Sequence, residues 1–253
     1  MRILVFCSVL LLIFYETNAV KKKIIKEINI CKRNDPELTK CYCTNFNHMI
    51  PRLKDGIPEM NAIPIDPIIV QHIIMKLPET KSVRLDAELH DVSVGGLSKG
   101  KALECLTYMT DNGIQLYFDL FFPEITLKSN YKAKGKFLLL GIDGDGDFHG
   151  EFTGMSVRTV WNSTRFMKNN KEHLKFTADI TDLQLKTMKI NFNNLFQNAT
   201  DLNNNINESI NSNIDLLYDE IKPVVLETIR GISLKIINDF YDLFSFDVLF
   251  PKE

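Results

Sequence analysis

The chain has 253 residues, of which 45% are hydrophobic and 25% are charged, and its formal net charge is −2. These proportions are ordinary for a folded globular protein, and the length is sufficient to bury a substantial core. Because a nearly neutral chain has no overall positive field, we expect no nucleic-acid partner.

The N-terminus has the three parts of a secretory signal peptide. Arg2 gives a positive start, residues 3–15 form an apolar run, and residues 17–19 supply a cleavage site. The run is shorter than the roughly 18 to 20 apolar residues of a membrane-spanning helix, although an uncleaved anchor is the alternative. We therefore expect cleavage after Ala19, secretion without stable membrane insertion, and a single extracellular domain over residues 20–253.

Four cysteines remain after cleavage: Cys31, Cys41, Cys43 and Cys105. An even number in an oxidising compartment is typical of disulfide bonds, and four cysteines allow three pairings. A bond between Cys31 and Cys41 would tie the N-terminal arm to the first helix. Cys43 and Cys105 could then pair if that helix packs on a strand over residues 102–109, with two unpaired thiols as the alternative.

Three sequons predict N-glycosylation, at Asn162, Asn198 and Asn207. A single sequon often occurs by chance, whereas three in a chain with an export signal fit the secretory route together. We therefore expect a glycoprotein.

The first predicted helix begins at Asp35, which can cap it, and Pro36 occupies the first helical position. Pro51 and Gly56 bring it to an end. Residues 56–67 are rich in proline and form an irregular connector, followed by a short apolar segment over residues 68–77.

Between residues 82 and 196 the hydrophobic period changes to two, which is typical of strands with one buried face. Turn residues interrupt this region at four places: 95–96, 111–113, 143–147 and 168–171. The pattern predicts six to eight antiparallel strands in an up-and-down meander. Residues 114–122 are apolar on both faces in places, so this strand needs a helix or a ligand on each side.

The C-terminal third carries an apolar stripe from Leu202 to Phe244, with steps of three or four residues. It predicts one long helix that Pro223 kinks near its middle, and two consecutive helices or a coiled coil are the alternatives. A helix of that length is too long for a compact core unless a curved sheet wraps it.

One stretch of the sequence resembles a metal-binding motif. Asp143, Asp145 and Asp147 resemble a calcium loop, but Phe148 and Gly154 stand where such a loop needs glycine and an acid. We therefore interpret residues 143–147 as a wide hairpin turn. The five histidines have no metal-ligand spacing, and there is no GxSxG or GxGxxG motif, so we expect no cofactor, no metal and no enzyme.

Both ends of the chain resemble one protein family. CKRNDPELTKC followed by PRLKDGIPEMNAIPIDP, together with INFNNLFQNATDLNNNIN and the long stripe before LFP, are similar to the takeout and juvenile-hormone-binding proteins of insects. The resemblance implies an α+β fold in which a strongly curved antiparallel sheet wraps a long C-terminal helix, with a short N-terminal helix and an elongated apolar tunnel. It also implies a disulfide between Cys31 and Cys41, whereas Cys43 and Cys105 do not match the family pattern.

This resemblance implies a secreted carrier of a small hydrophobic ligand, such as a juvenile hormone, a fatty acid or a similar lipid or terpenoid. Pockets for such ligands are lined mainly by apolar side chains. The predicted lining comes from nine strand residues and three helix residues: Phe118, Leu120, Phe137, Leu139, Phe152, Val157, Trp161, Phe176, Phe192, Leu217, Ile221 and Val225. The alternative functions are an extracellular protein-interaction module with a collapsed tunnel and a lipid esterase.

Overall fold

The computed structural model describes residues 29–58, 62–77, 83–138, 140–196 and 200–252. The predicted signal peptide, Leu139 and Asn198 lie outside these ranges. The elements in chain order are α1 (Leu38–Arg52), β1 (Ile68–Leu77), β2 (Val83–Gly95), β3 (Lys101–Thr110), β4 (Gly113–Phe137), β5 (Leu140–Lys168), β6 (Lys171–Gln184), β7 (Thr187–Phe192), α2 (Thr200–Ser212), α3 (Ile214–Asp242) and α4 (Phe246–Leu249). The α+β prediction is confirmed.

In the described part of the chain, no helix has the length and apolar character needed to cross a membrane.

The sheet is built around one long hairpin of β4 and β5, which pair from Gln115 with Asn162 to Phe137 with Leu140. Each of these strands has two partners on its other side. β3 pairs with the first half of β4 and β2 with the second half, while β6 and β7 divide β5 in the same way. β1 extends the sheet beyond β2. The predicted simple meander was therefore wrong, because strands of 25 and 29 residues are long enough to hold two neighbours each.

The buried face changes parity halfway along this hairpin. In β4 the even positions from Ile114 to Phe122 point inward, and the odd positions do so from Ile125 to Phe137. Pro123 and Gly154 lie opposite each other at this change, and they do not pair in the ladder. Because one residue is left out on each strand, the pairing on both sides of them has the same register. Gly154 has a φ of 59°, a conformation that favours glycine. One irregularity on both strands thus keeps a single apolar face along the whole sheet.

The segment 143–147 is part of β5, so the predicted hairpin turn at this place was wrong. Its aspartates point outward, where they face a lysine row on β4, and Lys134 Nζ lies 3.3 Å from Asp143 Oδ2. The intervening residues, Gly144 and Gly146, lie on the inward face, where the backbone of residues 193–195 crosses over them. A Cβ on Gly144 would lie 2.5 Å from the Leu195 carbonyl oxygen. The alternation of Gly and Asp is therefore typical of a strand whose outer face is solvated and whose inner face lies directly against another backbone segment.

The hairpin turns directly after Phe137, where β4 ends. Leu138 adopts a φ of 54°, which is uncommon for a residue with a side chain of this size. No glycine, proline or asparagine marks this position in the sequence. The turns predicted at residues 95–96, 111–113 and 168–171 do separate consecutive strands.

The C-terminal stripe forms two helices, which was the alternative to one long helix. The break lies at Asn213, between α2 and α3, and α3 continues through Pro223 without interruption. α3 has 29 residues and is therefore about 43 Å long at 1.5 Å per residue. Its length lets one helix contact the core from one end of the sheet to the other.

Side chains on the helices satisfy the backbone of three strands at the margins of the sheet. On β3, Thr39 Oγ1 accepts from the Thr107 N–H at 3.1 Å and donates to its carbonyl at 3.2 Å. On β6, Asn238 bonds the N–H and the carbonyl of Phe176 in the same manner. These contacts replace the bonds that a further strand would make.

On β7, α2 carries a row of asparagines that serve the same purpose. The Asn207 carboxamide accepts from the Phe192 N–H at 2.8 Å and donates to the Phe192 carbonyl at 2.8 Å. Asn211 does the same for Ile190, at 2.9 and 2.7 Å, and Asn203 does so for Phe196. Because the three asparagines are four apart, they lie on one helical face. Asn207 and Asn211 match alternate residues of β7, and Asn203 bonds Phe196 beyond the end of the strand.

Both disulfides are formed. Cys31 bonds Cys41, and Cys43 bonds Cys105. The second bond joins α1 to β3, the strand that Thr39 also contacts. The helix packs on this strand as the pairing requires, so the question that the sequence left open is settled.

Candidate functional site

Three apolar clusters line the concave face of the sheet and follow α3. The disulfide-end cluster includes Cys105, Phe118, Trp161, Phe176 and Tyr241. The central cluster consists of Phe122, Ile125, Val157 and Leu183. The far-end cluster includes Val83, Phe137, Phe148, Ile210 and Leu217. α3 therefore begins in the far-end cluster and finishes in the disulfide-end cluster.

The helix is well buried only near its ends. Its buried residues are Leu217 at one end and Ile237 and Tyr241 at the other. Between them, Val225 and Ile229 pack on the central cluster and yet remain partly exposed. An apolar stripe that faces a sheet normally becomes fully buried. The middle of α3 therefore carries apolar surface that the sheet does not cover completely.

A small apolar cavity lies in the far-end cluster, between the sheet and the two long helices. Its volume is about 50 Å³. The lining includes Leu85, Ala87 and Leu89 of β2, Tyr131, Ala133, Lys136 and Phe137 of β4, Phe192 of β7, Ile210 of α2 and Leu217 of α3. Small side chains leave space here because neither Ala87 nor Ala133 reaches across to the helices. Ligand pockets usually measure about 300 to 1,000 Å³, so this cavity is too small to hold a drug-sized ligand in the conformation described.

One polar group turns away from this cavity. Tyr131 lines it with its ring, and its hydroxyl donates to the Asn193 carbonyl at 2.7 Å. Burial raises the pKa of Tyr131 to about 12, and the nearby Asp145 and Asp147 act in the same direction. The hydroxyl therefore stays neutral and bonded at physiological pH, and the cavity keeps an apolar wall.

The disulfide-end cluster is a closely packed group of aromatic rings. Phe118 contacts the rings of Phe46 and Trp161, with centroids 4.5 and 5.9 Å away. The hydroxyls of Tyr42 and Tyr241 lie 2.7 Å apart within it. Burial raises the pKa of Tyr42 to about 12 against the effect of this hydrogen bond, and it raises the pKa of Tyr241 as well. The pair is thus a neutral polar contact inside an apolar core.

The predicted lining residues divide among the three clusters. Phe137, Phe192 and Leu217 line the cavity, and Ile221 packs beside them. Leu120, Val157 and Val225 lie in or against the central cluster, and Phe152 contacts both of these regions. Phe118, Trp161 and Phe176 belong to the disulfide-end cluster, where the side chains of α1 and α3 cover them.

Sequence reasoning missed the smaller residues of the cavity, above all Ala87 and Ala133. The alternation of residues 83–89 identified their strand, but a cavity depends on the space that small side chains leave. Only the pairing of Ala87 with Ala133 across β2 and β4 brings that space together.

The predicted glycosylation sites differ in their surroundings. Asn162 is exposed on the outer face of β5. Asn207 is only 7% exposed, and its Nδ2 donates to the carbonyls of Phe192 and Asn203. Because an N-glycan is attached through this nitrogen, the folded chain has no place for one at Asn207.

Comparisons with known proteins agree with this architecture. The family model of the haemolymph juvenile hormone binding protein (JHBP) matches residues 7–251. The circadian clock-controlled protein daywake of Drosophila melanogaster is 22% identical over 229 residues, which are 88% of this chain and 86% of that protein. The crystal structure of Epiphyas postvittana Takeout 1 superposes with a TM-score of 0.74 at 19% identity, over 88% of this chain and 99% of that one.

The structural likeness establishes the fold, and the family match extends from the seventh residue almost to the C-terminus. The sheet wrapped on a long helix and the bond between Cys31 and Cys41 fit the resemblance that the ends of the sequence indicated, and the bond between Cys43 and Cys105 is additional to it. The chain therefore belongs to the haemolymph juvenile hormone binding protein family.

Proposed function

We propose that this protein is a secreted, non-enzymatic carrier that binds one elongated hydrophobic molecule between α3 and the concave face of the sheet. The observation that carries the proposal is the partly exposed apolar stripe in the middle of α3. Its ends are held in two buried apolar clusters, so the middle can accept a ligand without loss of the fold. The juvenile hormone binding described for the matched family supports the same ligand class.

The ligand extends from the small cavity toward the central cluster. At about 0.8 kcal/mol per buried methylene, a chain of some 15 methylenes contributes about 10 kcal/mol before the cost of association. This is enough for micromolar or tighter binding. Since the cavity measures only about 50 Å³, ligand entry requires the side chains between α3 and the sheet to separate. Fatty acids and terpenoids such as juvenile hormone have the required shape.

Native mass spectrometry of the secreted, deglycosylated protein tests this function. A discrete added mass that extracts as a lipid or terpenoid is the expected result. For protein that arrives without ligand, delipidation and incubation with a fatty-acid and terpenoid panel should give a 1:1 complex. A mass that stays free of ligand at micromolar concentrations would overturn the carrier function. A protein partner retained after lipid extraction would then favour the interaction module.

A single substitution in the middle of α3 should separate binding from folding. Ile229→Lys places a charge against the central cluster, and burying that charge beside an apolar ligand is unfavourable. We expect at least a tenfold loss of affinity for a fluorescent fatty acid, measured by titration of delipidated protein.

The matched control is Gly231→Lys, because Gly231 is exposed on the same helix and a Cβ there would meet no atom within 4 Å beyond the backbone of its own helix turns and its chain neighbours. This variant should bind as the natural chain does. Equal affinity of both variants, with unchanged melting temperatures, would remove the middle of α3 from the site.

A further inference from the structure

The convex face of the sheet carries a cluster of three potential metal ligands, far from the apolar side. His72 on β1 and His90 on β2 are directly paired across the two strands. Their rings lie parallel, with centroids 4.6 Å apart and an angle of 8° between the planes. Glu88 lies two residues before His90 and therefore points to the same face.

One carboxylate oxygen faces both imidazoles. Glu88 Oε2 lies 3.5 Å from His90 Nε2 and 3.8 Å from His72 Nε2. One ligand atom from each of the three residues can be chosen so that all lie within 4.8 Å of one another. Around a tetrahedral zinc ion with bonds of about 2.0 to 2.1 Å, ligand atoms stand roughly 3.3 Å apart. The two measured separations are close to this value.

The side chains have the freedom to close the remaining gap. Their exposed fractions are 42% for His72, 53% for Glu88 and 46% for His90. Rotation of an exposed ring changes its nitrogen position without disturbing the core, while the paired strands fix the Cα positions. The backbone is therefore preorganised, and only side-chain rotation is required.

We propose that His72, Glu88 and His90 bind a divalent transition-metal ion, of which zinc is the representative. Two imidazoles and one carboxylate are ligands that zinc accepts, and water completes the coordination. Magnesium and calcium prefer oxygen ligands and do not fit two histidines. The bound ion links β1, at the margin of the sheet, to β2.

The neighbouring strand shapes this site without supplying its main ligands. Lys132 is paired with Glu88 and Asn130 is paired with His90. An ammonium group has no free electron pair for a metal, and its positive charge beside Glu88 weakens the attraction for a cation. The affinity expected is therefore micromolar and not that of a buried structural site.

The test uses untagged protein and zinc alone, in competition with a chromogenic chelator. We expect one zinc ion per chain at micromolar concentrations. His72→Ala and His90→Ala should each weaken binding at least tenfold. Because an ion that binds only the folded chain stabilises it, zinc should also raise the melting temperature of the natural protein and not of these variants. Cobalt provides a second readout, since its visible absorption reports the geometry of the ligands.

The matched control is His149→Ala. His149 is 41% exposed on β5, and its Nε2 lies 3.1 Å from Glu151 Oε1. His149 and Glu151 resemble the proposed site but have no second histidine on the neighbouring strand. His149→Ala should therefore leave the zinc affinity unchanged. Absence of binding at micromolar zinc would overturn the proposal, as would equal weakening by the control. Binding unaffected by either His72→Ala or His90→Ala would overturn it as well.

Discussion

Removal of the bond between Cys43 and Cys105, by changing both residues to serine, is expected to lower the free energy of unfolding by about 4 kcal/mol. The cysteines are 62 residues apart, and the stabilisation grows with the length of the closed loop in the chain-entropy model. The bond also holds α1 on β3, where Thr39 bonds the strand backbone. Denaturant unfolding followed by circular dichroism would measure the difference.

The matched comparison is the double variant of Cys31 and Cys41. Their separation is only 10 residues, so the same model gives about 3 kcal/mol for this bond. We expect both variants to be less stable and less well secreted, with the larger loss for Cys43 and Cys105. A reversed order would mean that strain or residual structure in the unfolded chain outweighs the loop length.

Asn207→Ala is expected to cost about 3 to 4 kcal/mol of stability. The substitution leaves the N–H and the carbonyl of Phe192 without their partner, at a site where Asn207 itself is 7% exposed. An unsatisfied buried backbone group costs about 1 to 3 kcal/mol, and two such groups are created here. Thermal and urea unfolding of the purified variant would measure the loss.

The control for this substitution is Asn205→Ala on the exposed face of the same helix. It should change stability by less than about 0.5 kcal/mol, as surface substitutions usually do. Glycan mapping gives an independent test, because Asn207 should carry no glycan in folded, secreted protein. Similar stability of the two variants, or a glycan at Asn207, would contradict the proposed role of the asparagine row.

The sequence predicted most of the elements and three of the turns, but not which strands pair. Period-two alternation identified the strands, but the predicted cap at Asp35 was wrong, because α1 begins at Leu38 with Glu37 at its N-cap and Asp35 Oδ1 accepts from the Glu37 N–H. The hairpin turn was misplaced because Leu138 adopts a left-handed conformation that its residue type does not suggest. Residues 143–147 were predicted to be a turn because Asp and Gly are typical turn residues, whereas in β5 the two inward positions between these aspartates are Gly144 and Gly146. These positions are glycine because the backbone of residues 193–195 crosses over them, and that tertiary contact cannot be read from the local sequence.

The site was predicted less completely than the fold. The apolar stripe of α3 was predicted from its period. Phe137 and Leu217, which line the small cavity, were among the residues predicted to face the ligand. The sequence does not show which aromatic residues face a cavity and which pack against other rings. Phe118, for example, is buried because side chains of α1 such as Phe46 pack on it. The proposed metal-binding cluster has no signature in the sequence, because His72 and His90 are 18 positions apart and meet only through strand pairing.

The helix side chains that bond β3, β6 and β7 have a consequence for the protein at high concentration. Strands with unbonded margins recruit strands of other molecules and begin ordered aggregates. Here Thr39, Asn238 and Asn207 occupy those backbone groups with short side chains that cannot propagate a sheet. A protein made largely of β-strands can thus remain dispersed when it is concentrated, and its helices protect strand margins from self-association as well as covering the core.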